Sequence, residues 1–78
     1  MRVQRFKEEL MATVAKVSTI TARSTKSFDD AVTGGLARAH KSLRNIEGAW
    51  VKSQKVELSD GIVTGWQVTM EVTFVLDD

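Results

Sequence analysis

The chain is 78 residues long with no Cys and no Pro, which bounds it to one small domain with a marginal core. It also excludes disulfides, thiolate metal sites and thiol nucleophiles. Eleven Lys and Arg against ten Asp and Glu give a net charge near +1, so no bulk field favours nucleic acid, anionic lipid or an acidic partner.

The opening Met1 to Leu10, "MRVQRFKEEL", sets Val3, Phe6 and Leu10 at helix-like spacings among charges, and Met11 follows. It reads as an N-terminal extension, residues 1–11, ahead of a domain at 12–78. Two readings stand for it: a frayed tail or upstream start, and a short docking helix. It lacks the apolar h-region of a secretory signal, and no apolar run approaches the ~20 residues of a membrane helix. A soluble cytoplasmic protein is therefore expected.

From Thr13 to Ala22, "TVAKVSTITA" is rich in Val, Ile and Thr, which suits a strand. Its alternation is untidy and leaves its faces open. The polar stretch Arg23 to Lys26 leads into "SFDDAVTGGLARAHKSLRNI", where Ser27 stands three residues before Asp30 like a capping box with a shorter acid. Val32, Leu36, Ala39, Leu43 and Ile46 then form one apolar stripe, with Phe28 a turn earlier. Asp29 and Asp30 lie at the positive end of the helix dipole, and Lys41 and Arg44 near the negative end. The spacing predicts a helix running to Ile46. Gly34 and Gly35 fall inside it, where each costs about 1 kcal/mol relative to alanine. Either a close backbone approach compensates or a local weakness is tolerated.

After Gly48, "AWVKSQKVEL" predicts a strand, and Asp60-Gly61 is a hairpin signal. In "IVTGWQVTMEVTFVL", Trp66, Val68, Met70, Val72, Phe74 and Leu76 alternate with Gln67, Thr69, Glu71 and Thr73, the period of a sheet with one buried face. The expected class is α+β, order β-α-β-β, a three-stranded antiparallel sheet packed on one helix. A last strand of about 15 residues spans roughly 50 Å, whereas a helix of about 20 residues covers only about 30 Å. Part of the apolar face therefore needs cover from another chain. Oligomerisation is also the remaining source of stability for so small a core.

Nothing in the sequence reads as an enzyme. The single histidine, His40, has no acidic residue at helical spacing, and no Ser or Thr comes with a positioned base and an oxyanion site. Asp60, Glu71, Asp77 and Asp78 are oxygen donors of the kind hard cations prefer, without ligand-loop spacing. Arg38, Lys41 and Arg44, three apart, make a basic edge on the expected helix. The sheet face turned away from the helix carries Gln67, Thr69 and Glu71. Ala49 and Val51 suit the helix side, so Trp50, with Gly48 and Lys52, belongs to the same open face as Gln67. A tryptophan and an amide there suit a flat heterocycle, with Lys52 or Lys55 available for a phosphate; equally, tryptophan is enriched in subunit interfaces.

The run "KSFDDAV" followed by "GGLARAHKSLRNI", the Asp-Gly hairpin and "WQVTMEVTFVLDD" together resemble the dodecins, small flavin-binding proteins that assemble into hollow cages of twelve subunits. The resemblance covers about Lys16 to Asp78. It implies riboflavin or FMN held in pairs at twofold contacts, with tryptophans of the second strand sandwiching the rings and quenching the excited flavin. Gln67 matches the glutamine that bonds the flavin edge, and Lys55 a basic residue common on the second strand. The stacking tryptophan's position is Gly48 here, and a basic position near the end of the last strand is Val75. Trp50 stands where many flavin binders carry an acid, and either rebuilds the aromatic wall or seals the pocket.

The function expected is thus a non-enzymatic homododecameric cage that stores flavin, with Gln67, Trp50, Gly48, Lys52 and Lys55 as cofactor-binding positions and no metal. The alternatives are a cage whose altered site takes coenzyme A or a metal ion, and a structural or partner-docking role. Neither nucleic acid nor membrane is an expected partner.

Overall fold

The computed structural model describes residues 14–76. The expected N-terminal extension and the acidic pair Asp77 and Asp78 lie outside the described residues. The elements are β1 (Ala15–Ser24), α1 (Phe28–Ala39), β2 (Ile46–Ser59) and β3 (Ile62–Val75), with the strands in the antiparallel order β1-β3-β2. The strand with the cleanest alternation takes the centre because it alone must satisfy hydrogen bonds on both edges while burying a full apolar face. Val68, Met70 and Val72 of β3 are completely buried, and Ala31 of α1 joins them. Phe28, Val32 and Leu36 on the helix, with Ile20 and Ala22 on β1, close this core.

The turn into α1 is built from hydroxyls and a carboxylate. Ser27 Oγ accepts the Asp30 N–H at 2.9 Å, the expected N-cap bond. Asp30 does not reach straight back to Ser27 as in a full capping box. Its Oδ2 accepts from Ser24 Oγ at 2.6 Å, and that hydroxyl in turn accepts the N–H groups of Lys26 and Ser27. The shorter acid needs this relay, which explains why Ser24 is buried at the end of a strand.

The helix is shorter than its apolar stripe implies. It stops at Ala39, and turn bonds from Lys41 N to Arg38 O and from Leu43 N to Ala39 O lead out of it. Ile46 is the first residue of β2, across from Phe74. Asn45, at φ 59°, turns the chain in the left-handed region that Asn tolerates. Its carbonyl accepts the Val75 N–H at 3.1 Å, and its side-chain amide donates to Val75 O at 3.2 Å. Pairing with β3 thus overrides a periodicity that Leu43 and Ile46 continue by coincidence. It also brings the start of β2 two residues ahead of Gly48.

Gly34 and Gly35 have different reasons. A Cβ on Gly35 would stand 2.7 Å from Ala22 Cβ and 3.1 Å from Met70 Cε, whereas one on Gly34 meets nothing within 4 Å. Close approach of helix to sheet therefore accounts for Gly35 alone. The hairpin between β2 and β3 turns on Asp60 and Gly61, both at positive φ, 52° and 78°, as the Asp-Gly signal predicts.

The mismatch in length exceeds the sequence estimate. Twelve helical residues cover about 18 Å, while the 14 residues of β3 run about 46 Å. The helix packs mainly on β1 and β3, so β2 and the hairpin end keep apolar side chains in the open: Val51, Val56, Leu58, Ile62 and Val63 are all exposed. No helix among the described residues is long and apolar enough to cross a membrane.

Candidate functional site

The face of the sheet turned away from α1 is arranged in rungs, each crossing β1, β3 and β2. At one end Val17, Thr73 and Gly48 share a rung; next come Thr19, Glu71 and Trp50, then Thr21, Thr69 and Ser53, then Arg23, Gln67 and Lys55. Gly65 follows, with Glu57 across from it on β2 and no partner on β1. Of the cofactor-binding positions expected from the sequence, Gly48, Trp50, Lys55 and Gln67 sit on these rungs and Lys52 does not.

Lys52 is the extra residue of a bulge, between the pairs Val51 with Met70 and Ser53 with Thr69. A bulge leaves one residue unpaired and resets the alternation downstream. Its Nζ nonetheless lies 3.9 Å from Glu71 Oε2, on the open face beside Trp50. The reset carries Lys55 onto that face: counting in twos from Trp50 would put it on the helix side, yet it pairs with Gln67.

Gln67 is half-buried between the two basic residues of its rung, Arg23 and Lys55. Its amide offers both donors and an acceptor, with Lys55 on one side and Arg23, paired to Glu57, on the other. Such a rung suits a ligand edge that alternates carbonyl and N–H groups. Thr21 and Thr69 share a hydroxyl bond of 3.2 Å on the next rung, giving that part of the face a fixed polar floor.

Trp50 is 74 % exposed, beside a hollow of about 280 Å³ lined with Val51, Lys52 and Glu71. Glu71, its cross-strand partner, is four residues along β3 from Gln67, or roughly 13 Å. One chain therefore does not bring the indole and the amide to one point; the threonine rung separates them. Gly48 lies a further rung away.

Sequence reasoning missed Arg23, Glu57 and Gly65. Arg23 Nε donates to Glu57 Oε1 at 2.7 Å, an ion pair between the two outer strands that crosses over the central one. Its only sequence trace is a glycine two residues before Gln67; a long-range pair between β1 and β2 leaves no local pattern. The basic edge predicted from Arg38, Lys41 and Arg44 is corrected, because only Arg38 lies in α1 and the other two fall in the turn that follows. His40 is the exposed C-cap of α1. Among the described residues no three His, Cys, Asp or Glu side chains gather as metal ligands.

The family model described as "Dodecin" matches residues 14–77. Among solved structures, the chain is similar to the dodecin from Streptomyces davaonensis, at 35% identity and a TM-score of 0.80 over 85% of this chain and 97% of that one. The dodecin from Streptomyces coelicolor matches at 26% identity and a TM-score of 0.82, over 87% of this chain and 97% of that one. A calcium-chelating immunodominant antigen from Mycobacterium tuberculosis, a calcium dodecin with a novel calcium-binding site, matches at 28% identity and a TM-score of 0.71, over 82% and 91%. No curated protein matches the sequence.

Proposed function

Because the chain belongs to the dodecin family, we propose that it forms a homododecamer without enzymatic activity that binds and stores a flavin, riboflavin or FMN, at contacts between subunits. Gln67 bonds the edge of the ring system. Trp50, brought across a subunit contact, supplies an aromatic wall in place of the one missing at Gly48. Lys55, beside Gln67, and Lys52, beside Trp50, are the cations available to a phosphate.

The observation that carries this reading is the shared face: a half-buried amide between two basic side chains, with a largely exposed tryptophan two rungs along. A large indole left in water on a polar face marks a surface that meets something flat and apolar. The separation of Trp50 from Gln67 within one chain favours a site completed by a second subunit. The uncovered apolar side of β2 favours the same assembly, since the described residues contain four buried apolar side chains, a slender core for a free protomer.

The test is titration of riboflavin and FMN fluorescence on protein whose mass is measured by light scattering. Quenching of both flavins at micromolar protein, at about twelve times the 8.6 kDa protomer mass, is the expected result. A twelvemer that quenches neither flavin removes the ligand assignment and leaves a cage for another small molecule. A monomer removes the assembly as well.

A further inference from the structure

Gly65 is buried, although no β1 residue pairs with it. Its cover is the Arg23–Glu57 ion pair. A Cβ at Gly65 would sit 2.7 Å from Glu57 Oε1, 2.8 Å from Arg23 Nη2 and 3.1 Å from Arg23 Cζ. The carboxylate and the guanidinium therefore rest directly on the backbone of the central strand, in space that any side chain would take from them. Arg23 comes to this point from the rung of Gln67, and Glu57 from across Gly65. The pair sits two residues from Gln67 along β3, roughly 7 Å.

A guanidinium is planar, weakly hydrated and stacks on aromatic rings. Here Glu57 holds the Nε edge at 2.7 Å, which fixes the group without covering it, since 49% of the Arg23 side chain is still exposed. The carboxylate also balances the charge, so the surface accepts a neutral ring as readily as an anionic one. The geometry points to a further ligand contact: Arg23, pinned on Gly65 by Glu57, is a stacking platform for one face of a planar heteroaromatic ring whose edge is bonded by Gln67. This rests on the proposed flavin reading and adds a residue to it. It places a flat surface beside the amide, at the end of the face that Trp50 and Gly48 do not reach within one chain.

The experiment compares wild type, Arg23→Lys and Gly65→Ala in fluorescence titrations with lumiflavin, riboflavin and FMN, with mass by light scattering and a thermal melt for each variant. Lysine keeps the charge and the reach to Glu57 but lacks the plane. It is expected to weaken all three flavins by one common factor, roughly fivefold to tenfold, with mass and melting temperature unchanged. Gly65→Ala, which lifts the pair off the strand, is expected to weaken them in the same order. Wild-type affinities in Arg23→Lys overturn the platform while leaving the flavin reading intact. A loss confined to FMN overturns it too, by making Arg23 a phosphate contact, and so does a loss of assembly in Arg23→Lys. If the wild-type protein quenches none of the three, the flavin reading falls and the platform with it.

Discussion

Lys55 lies directly across from Gln67 on the open face, although it is five residues from Trp50, which shares that face. The bulge at Lys52 makes this possible, and it sets the face of every β2 residue from Ser53 to Glu57.

Deleting Lys52 removes the extra residue and turns these side chains over, because the strand period is two. Val56 moves to the polar face and Glu57 away from Arg23. The deletion is expected to abolish a cooperative melt followed by circular dichroism. Lys52→Ala keeps the residue count and loses only an exposed ion pair, so it is expected to shift stability by about 0.5 kcal/mol or less. A deletion variant that melts like wild type would show that the bulge does not set the register.

The two helical glycines should respond to alanine with opposite signs. Gly35→Ala pushes a methyl to 2.7 Å from Ala22 Cβ, which has no flexible end to swing away, and is expected to destabilise by about 1–3 kcal/mol. Gly34→Ala enters open space and is expected to stabilise by about 0.5–1 kcal/mol. Urea unfolding at one fixed protomer concentration checks both, since assembly makes apparent stability concentration-dependent.

Leu58 and Val63 face each other across the hairpin, 61% and 40% exposed, beyond the reach of α1. Changing both to lysine leaves the core of the protomer untouched and charges this overhang. The expected outcome is a smaller species in light scattering and a lower melting temperature. An unchanged mass would mean that the overhang does not form the contact between subunits.

Trp50→Ala separates a ligand wall from a plug. With 74% of the residue exposed in the chain, the protomer itself should lose no more than about 0.5 kcal/mol. As a wall, the indole's loss weakens flavin binding roughly tenfold and reduces quenching in the titration. Tighter binding in the alanine variant would identify the tryptophan as a plug.

Ser24 is the buried centre of the relay between β1 and the cap of α1. Ser24→Ala removes the donor to Asp30 and the acceptor for two backbone N–H groups. It is expected to cost about 1–3 kcal/mol, against about 1 kcal/mol for Ser27→Ala, which removes a single cap bond. Equal effects in urea unfolding would count against the relay.

What can be read locally was legible in the sequence. The alternation from Trp66 to Phe74 determined the buried face of β3, Asp60-Gly61 the turn, Ser27 the start of α1, and the pattern around Trp50 its place on the face of Gln67. Each follows from the chemistry of a few adjacent residues and from the two-residue or 3.6-residue period they share. The tertiary structure alone decided where α1 ends, because Ile46 fits the helical stripe yet gains more by pairing with Phe74. It also decided the bulge that delivers Lys55 to Gln67, and the meeting of Arg23 and Glu57 over Gly65. These depend on which strands become neighbours and in what register, a choice made by contacts between residues far apart in the chain, for which a linear pattern carries no sign.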